Sequence, residues 1–562
     1  MDEDFKRNNT RSFYRTFKSN LQKYQNQNLC FKNEKGELAL NDEENCDILA
    51  KYFETLLNCD EPEQRFSLKT PSRRNEDSEP PTVEELAEII ENMKNEKSPR
   101  EDGIIVEMWK AVNLNTLEVL EKLIKQIWYT EELPEEWKTA LIHPIHKKGD
   151  KTDPNNYRGI SLLQVTYKIL SKALQNRLDK QVDKEIGEYQ GGFRQGRSCV
   201  EQILNLKFII RHRRLSGKRT FITFVDFKKA YDSIDRETLF NTLEEFGVIR
   251  KWREKNVKCG IKKIKIGRNK DLEVDCLAFA DDLAIFSEDV TDAIKLINNL
   301  KESAEKAGLQ ISFEKTEYIT DMDGAPREMK TKYGVIKKVT KFKYLGEIIT
   351  PNGLDKEANQ VRMRKMETAF QLTRNTYNKK SLSMNAKLRH YNTVIKPESM
   401  YASECLSLNT AKQLQELEKK ERKIIRKILG PKQVNGIWKL RSNEEVYEKT
   451  ERIGDTIRKR RVQLYGHLKR MKETRFTKQL FNYFDKNPKT RLTWFIETKK
   501  DLAEMEIPET EISERDKFRE RVKTFKGYKE KEKKKTGAPW TEERKQQHRE
   551  KMKKYWEERK KQ

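Results

Sequence analysis

The chain has 562 residues, 37% of them charged, and its 117 lysines and arginines against 91 acidic residues leave a net charge of +26. That length allows two to four domains with a substantial core, and so large a cationic excess favours a polyanionic partner, nucleic acid first. Seven scattered cysteines without a CxxC pair argue against a disulfide framework or a zinc knuckle. No signal peptide opens the chain and no apolar run reaches membrane-spanning length, so an intracellular protein of nucleus or cytoplasm is expected.

Residues 1–79 read as a polar extension with a helical stretch at Cys46–Leu57 and a linker from Glu61 to Pro80 that is poor in apolar residues. Thr82-Val83-Glu84-Glu85 has the form of a capping box. Val83, Leu86, Ile89, Ile90 and Met93 then follow at helical spacing, up to the turn-rich stretch Ser98–Ile104. A second apolar helix is predicted over Leu114–Tyr129, and a strand over Trp137–Ile145 runs into the loop His146–Lys151. His143 and His146 have no third ligand nearby and read as solvated or hydrogen-bonded histidines; no zinc is expected. Asn156–Leu163 and a helix over Thr166–Asp183 lead to the segment Tyr189-Gln190-Gly191-Gly192-Phe193-Arg194-Gln195-Gly196-Arg197-Ser198.

Phe221-Ile222-Thr223-Phe224-Val225-Asp226-Phe227 is an apolar run that ends on a carboxylate, and a helix over Glu237–Gly247 follows it. In Leu277–Ser287 two carboxylates, Asp281 and Asp282, sit at the centre of another apolar run. Such runs read as buried strands, and a carboxylate pair there needs a partner. A strand, an Asp-Asp turn and a returning strand would carry the pair at a hairpin tip. On the hairpin alone two readings stand: an oxygen-ligated site suited to Mg²⁺ or Mn²⁺, or an ordinary type I turn. Asp226 tips the balance, because two strands that each deliver Asp to one sheet edge supply the carboxylates of a two-metal phosphoryl-transfer site.

Val225-Asp226-Phe227-Lys228-Lys229-Ala230-Tyr231-Asp232 and Phe279-Ala280-Asp281-Asp282 resemble motifs A and C of reverse transcriptases, and more narrowly those of non-LTR (LINE-like, jockey-type) retrotransposons. Ser98–Ile104 resembles the entry segment of these polymerases, with Arg100 where glycine is usual, and Asn156–Leu163 and Tyr189–Ser198 resemble their fingers blocks. The resemblance makes Lys147, Arg158, Arg194 and Arg197 candidates to touch triphosphate or template backbone, a task that suits the planar arginine fork. It makes Tyr231 an aromatic beneath the incoming sugar that excludes a 2′-hydroxyl; a core aromatic at a helix start is the other reading. Gly308–Glu317 resembles motif D, in which Lys315 would donate a proton to departing pyrophosphate; a plain surface lysine is the alternative. Phe342–Gly346 resembles the hairpin that grips the primer.

The sequence departs from the pattern at one place. Only 55 residues separate Asp226 from Asp281, and nothing between Gly247 and Lys262 resembles motif B, its glycine-rich loop and its long apolar helix. A deletion near Gly247–Val248 is inferred. It is expected to expose one face of the sheet and remove a wall of the nucleotide pocket.

Beyond the hairpin, Thr291–Ala307 is amphipathic, and from Asp355 the pattern is helical, with Lys412–Leu429 and Arg458–Met471 rich in cations. Residues 521–562 carry 17 basic and 7 acidic residues and read as a solvated helix or a disordered tail, in which Lys529–Lys535 could mimic a nuclear signal.

The resemblance implies an α+β right-hand polymerase: fingers and palm, an all-helical thumb, and a basic C-terminal helical region. The divisions are 1–79, 80–350, 351–480 and 481–562. Implied with it are RNA-directed DNA synthesis from dNTPs on an RNA template and DNA primer, two Mg²⁺ (or Mn²⁺) ions on Asp226, Asp281 and Asp282, and no membrane partner. Elements of this kind carry an upstream endonuclease, and the chain is expected to start too late to contain one. A catalytically dead remnant that still binds nucleic acid electrostatically is the competing expectation.

Overall fold

A computed structural model of the chain describes residues 30–58, 62, 79–100, 102–245, 264–266, 272–379, 381–407, 411–486, 493–525, 546 and 550. The start of the N-terminal extension, most of the linker, the Gly247–Val248 junction and the Lys529–Lys535 run lie outside these residues.

The N-terminal layer is built from helices α1 (Asp42–Leu57), α2 (Val83–Asn92), α3 (Leu114–Thr130) and α4 (Val165–Glu185) and a ribbon of strands β1 (Leu141–His146) and β2 (Tyr157–Leu162). Thr82 caps α2 by accepting from the Glu85 N–H, as its place in the sequence requires. Leu86, Ile89 and Ile90 of α2 meet Leu120, Ile124 and Ile127 of α3 and Ile169 and Leu170 of α4 in one core. Trp137 joins that core from a helical turn, Glu135–Lys138, so the expected strand begins only at Leu141.

Behind this layer stands a six-stranded sheet in the order β6-β7-β3-β8-β10-β9. Its strands are β3 (Phe221–Val225), β6 (Cys276–Phe279), β7 (Asp282–Ser287), β8 (Glu317–Thr320), β9 (Glu328–Lys330) and β10 (Val335–Lys338), with a separate small hairpin of β4 (Ile264–Ile266) and β5 (Leu272–Val274). Strand β3 pairs antiparallel with both β7 and β8 and is buried along its whole length. Side chains alternate across a strand, and here they divide between two cores. Phe221 and Val225 face helix α8 (Val290–Lys306) with Ile285 and Ile297, whereas Ile222 and Phe224 join Ala284 and Phe286 in the larger core on the other side. Cover on both faces is why the sequence shows an unbroken apolar run there.

Helix α5 (Cys199–Leu215) lies in that larger core and is buried on almost every side. The expected bare sheet face is not found: α5 and side chains from the C-terminal region cover it. The covering elements are α12 (Ile453–Arg470), α13 (Phe476–Lys486), α14 (Thr493–Glu504) and α15 (Arg515–Thr524), which bring Tyr465, Phe481, Phe484, Trp494 and Phe495 into the same core. The expected division at 480/481 falls inside α13, and residues 481–525 hold packed helices.

Between sheet and C-terminal helices come the hairpin β11 (Phe342–Tyr344)–β12 (Glu347–Ile349), whose Tyr344 and Ile349 join the larger core, and the long helix α9 (Lys356–Tyr377), α10 (Met384–His390) and α11 (Ala411–Leu429), which share a second apolar core with the start of α12. A hairpin, β13 (Lys432–Val434)–β14 (Ile437–Lys439), interrupts this region, so it is not all-helical as expected. A buried charge cluster joins it to α5. Lys207 of α5 meets Glu347 at 3.2 Å and Asp355 at 2.8 Å, and Arg362 of α9 grips Glu347 with two bonds of 3.0 and 2.7 Å. Among the described residues no helix is long and apolar enough to cross a membrane.

Candidate active site

Val225, the last residue of β3, pairs with Leu283, so Asp226 leaves the sheet beside Asp282, the first residue of β7. The Asp226 backbone is held on both sides: its N–H donates to Thr316 Oγ1 at 3.3 Å, and its carbonyl accepts from the Ser312 N–H at 2.8 Å. The β6–β7 hairpin closes through the Phe279–Asp282 pair around a two-residue turn, Ala280–Asp281. This shifts the expected Asp-Asp turn by one residue: Asp281 is in the turn and Asp282 already belongs to the returning strand.

Ala280 sits in that turn at φ +59°, a region costly for a residue with a Cβ. Its neighbour Gln190 holds it there, with Oε1 accepting from the Ala280 N–H at 2.9 Å and from the Gly192 N–H at 2.8 Å. The same loop lies along β6: Gly191 N–H donates to the Ala278 carbonyl at 2.8 Å and Ala278 N–H to the Tyr189 carbonyl at 2.9 Å. Gln202 of α5 reaches both carbonyls through Nε2. The approach is so close that a Cβ on Gly192 would stand 2.3 Å from the Ala280 nitrogen, which makes glycine obligatory there. Sequence reasoning missed Gln190, Gln202 and Thr316 as supports of the carboxylates. The adjacent glycines 191 and 192 were the available signal of a close backbone approach.

Partial burial raises the Asp282 carboxyl above the ordinary aspartate value, and the negative charges of Asp281 and Asp226 add to the effect. Asp282 thus feels the charge of the other two carboxylates. Tyr231 follows in the short helix α6 (Ala230–Ser233); its hydroxyl donates to Asp281 Oδ1 at 3.4 Å, and its ring meets Phe193 edge-on at 6.0 Å. Burial, then the Asp281 charge, pushes the Tyr231 phenol up, whereas Arg158 is near enough to act in the opposite sense. Lys315 Nζ stands 3.7 Å from Asp226 Oδ2, both groups being well exposed.

The structure therefore gathers Asp226, Asp281, Asp282, Tyr231, Lys315 and Arg158, while Lys147 is exposed just past the end of β1. The guanidinium groups of Arg194 and Arg197 are both occupied within the fold. Arg194 bonds Asp183 Oδ1 at 2.7 Å and the carbonyls of Asp183, Gly187 and Gln190. Arg197 makes a two-pronged pair with Glu188 at 2.8 and 2.7 Å. They brace the loop that carries Gln190.

Among the described residues no three His, Cys, Asp or Glu side chains are arranged as a ready cation cage. The donor chemistry nevertheless fits a hard divalent ion, since all three candidate ligands are carboxylates. The repulsion felt by Asp282 is the kind a cation relieves. In this arrangement Lys315 and Tyr231 engage two of the three.

The family model for reverse transcriptase (RNA-dependent DNA polymerase) matches residues 145–266 and 248–349, two matches that overlap over 248–266. A probable RNA-directed DNA polymerase from transposon BS of Drosophila melanogaster is 30% identical over 39% of this chain and 26% of its own length. An RNA-directed DNA polymerase from mobile element jockey of Drosophila funebris is 23% identical over 70% of this chain and 48% of its own. A putative 115 kDa protein in type-1 retrotransposable element R1DM of Drosophila melanogaster is 34% identical over 30% and 17%. The chain thus spans less than half the length of each of these relatives.

Proposed function

We propose, for a chain that carries a reverse transcriptase domain of the non-LTR retrotransposon kind, that it extends a DNA primer on an RNA template at Asp226, Asp281 and Asp282. One observation carries this reading: β3 and the β6–β7 turn deliver three carboxylates to one end of one sheet, where Asp282 feels the charge of the other two. These three would hold two Mg²⁺ (or Mn²⁺) ions, which when bound supply activation of the primer 3′-hydroxyl and neutralisation of the triphosphate oxygens.

The remaining roles belong to the chain's own side chains. Tyr231 presents its ring beside Asp281, where it limits the space next to the sugar. Lys315, beside Asp226, is placed to give a proton to departing pyrophosphate. Arg158 and Lys147 supply positive charge for the triphosphate. Nucleus and cytoplasm both suit such a protein. Extension of a labelled DNA primer on an RNA template tests the proposal, with Asp281→Asn as control. Product that disappears in the variant supports it, and product equal in both rejects it.

A second reading, a folded remnant that binds nucleic acid without synthesis, is favoured by the interval between Asp226 and Asp281 and by the break of the family match across 248–266. Salt-dependent binding without extension, together with extension once a motif B segment is inserted after Gly247, would decide for it.

A further inference from the structure

The hairpin β13–β14 is an exposed apolar arm on a cationic base. Its turn is Asn435-Gly436, both at positive φ (+51° and +78°), the geometry that matches the twist of two paired strands. Its base is fixed to α11: Arg426 donates to the Arg441 carbonyl at 3.0 Å and to Asn443 Oδ1 at 2.7 Å, and Arg441 donates to the Gly430 carbonyl at 3.1 Å. Lys432 is paired with Glu445. The arm is thus anchored, yet Ile437, Trp438 and Leu440 are 63%, 67% and 79% exposed. Three large apolar side chains within four residues exceed the scatter of a normal surface. By strand alternation Trp438 and Leu440 share one side, with Gln433 directly opposite Trp438.

Charge names the partner. Residues 411–441 hold ten lysines and arginines against three glutamates. Two of those glutamates are committed inward, Glu418 to Arg422 and Glu421 to the hydroxyls of Tyr391 and Tyr447. Lys419, Lys423 and Lys427 of α11 are all exposed and follow at four-residue steps, a single stripe of about 12 Å. Like charges at that spacing repel, and although Lys427 lies over the Phe370 ring at 5.4 Å, the exposed stripe suits an external polyanion. An apolar or acidic protein partner would suit the arm or the stripe, not both. A strand with a phosphate backbone and open base faces suits both together.

We infer that Trp438, with Leu440 beside it, is a stacking platform for the bases of single-stranded nucleic acid whose backbone runs along Lys419, Lys423 and Lys427. RNA and DNA strands share that chemistry; a duplex hides its base faces. The inference deepens the nucleic-acid partner of the proposed function at a place remote in sequence from the carboxylates, and it needs no synthesis.

The test is equilibrium binding by the full chain, without nucleotides, of labelled oligouridylate, oligodeoxythymidylate and a blunt DNA duplex over a range of salt. Trp438→Ala is expected to weaken single strands about ten- to a hundredfold with the salt slope unchanged. Trp438→Phe should recover most of that loss, and the duplex should change little. The triple change Lys419→Gln, Lys423→Gln, Lys427→Gln should flatten the slope by about 0.7 per lost phosphate contact. A loss confined to oligouridylate assigns the platform to RNA. Because Trp438 is exposed, an unchanged thermal midpoint serves as the folding control. Equal binding by wild type and Trp438→Ala overturns the inference, as does an equal loss on all three ligands. Self-association of wild type that Trp438→Ala abolishes also overturns it, by giving the arm to a second copy. A chain that shows the expected pattern yet extends no primer rejects the polymerase reading alone.

Discussion

Replacing Gln190 by Leu tests whether the turn of the proposed active site is held from outside. In the structure one side-chain oxygen accepts from the N–H groups of Ala280 and Gly192 at 2.9 and 2.8 Å. Leucine keeps the bulk and removes the acceptor. Each half-buried N–H left without a partner costs about 1–3 kcal/mol, and Ala280 already stands at φ +59°, worth about 1–2 kcal/mol of strain. The turn therefore loses the support that offsets its strain, and Asp281, the next residue, moves with it. A displacement near 1 Å at such a site costs about a hundredfold in rate, so extension should fall by that order while the thermal midpoint drops only a few degrees. Ala280→Gly relieves the positive φ, and in that background Gln190→Leu should cost several-fold less. Hydrogen exchange at the Ala280 and Gly192 amides reads the same event without any turnover. Unchanged protection of both amides in Gln190→Leu, or an undiminished effect in the Ala280→Gly background, would refute the reasoning.

Lys207→Met leaves Glu347 and Asp355 buried with one cation fewer, a loss of about 3–5 kcal/mol that denaturant unfolding should read. Arg194→Ala should lower stability through Asp183 and the loop carbonyls; Arg158→Ala should leave stability alone and raise KM for nucleotides, a contrast that steady-state kinetics and thermal unfolding resolve together. The raised Asp282 value fixes a sign in the metal-free protein. Its contribution to stability is fully present below the unfolded aspartate range and is lost as pH rises through the folded value. Asp282→Asn should therefore flatten that part of the stability–pH curve, and added Mg²⁺ should raise the midpoint of wild type more than that of the variant.

What the sequence revealed and what it hid follow from the range of the interactions involved. The β3 run and the acidic hairpin were legible because burial on two faces and clustered charge are written in neighbouring residues. The turn was displaced by one residue because the Phe279–Asp282 register depends on how the Gln190 loop lies along β6. The pairing of Arg194 with Asp183 and of Arg197 with Glu188 was not legible, because it depends on how the loop folds back on the end of α4. The division at 480/481 falls inside α13 and leaves α14 in the C-terminal region. Yet Phe476, Leu480, Phe481 and Phe484 already mark one helical face, and only the fold shows that this face closes over α5.

That closure changes what a shortened interval between Asp226 and Asp281 means physically. If the sheet depended on that interval for cover, its loss would expose Ile222, Phe224, Ala284 and Phe286, and the chain would aggregate before any question of catalysis arose. Those side chains are instead buried with α5, Tyr465, Phe481 and Trp494, none of which lies in the interval. The C-terminal helices also reach the site itself. Arg475 donates to the Gly196 carbonyl at 2.8 Å, and the Phe476 N–H donates to Glu188, the partner of Arg197 in the loop that carries Gln190. The turn is thus braced by the C-terminal helices as well as by Gln190, and the cover of the sheet does not depend on the interval. Folding does not rest on the interval, so a folded, nucleic-acid-binding chain with little polymerase activity is a coherent physical outcome, and inserting the segment tests catalysis without having to rescue the fold.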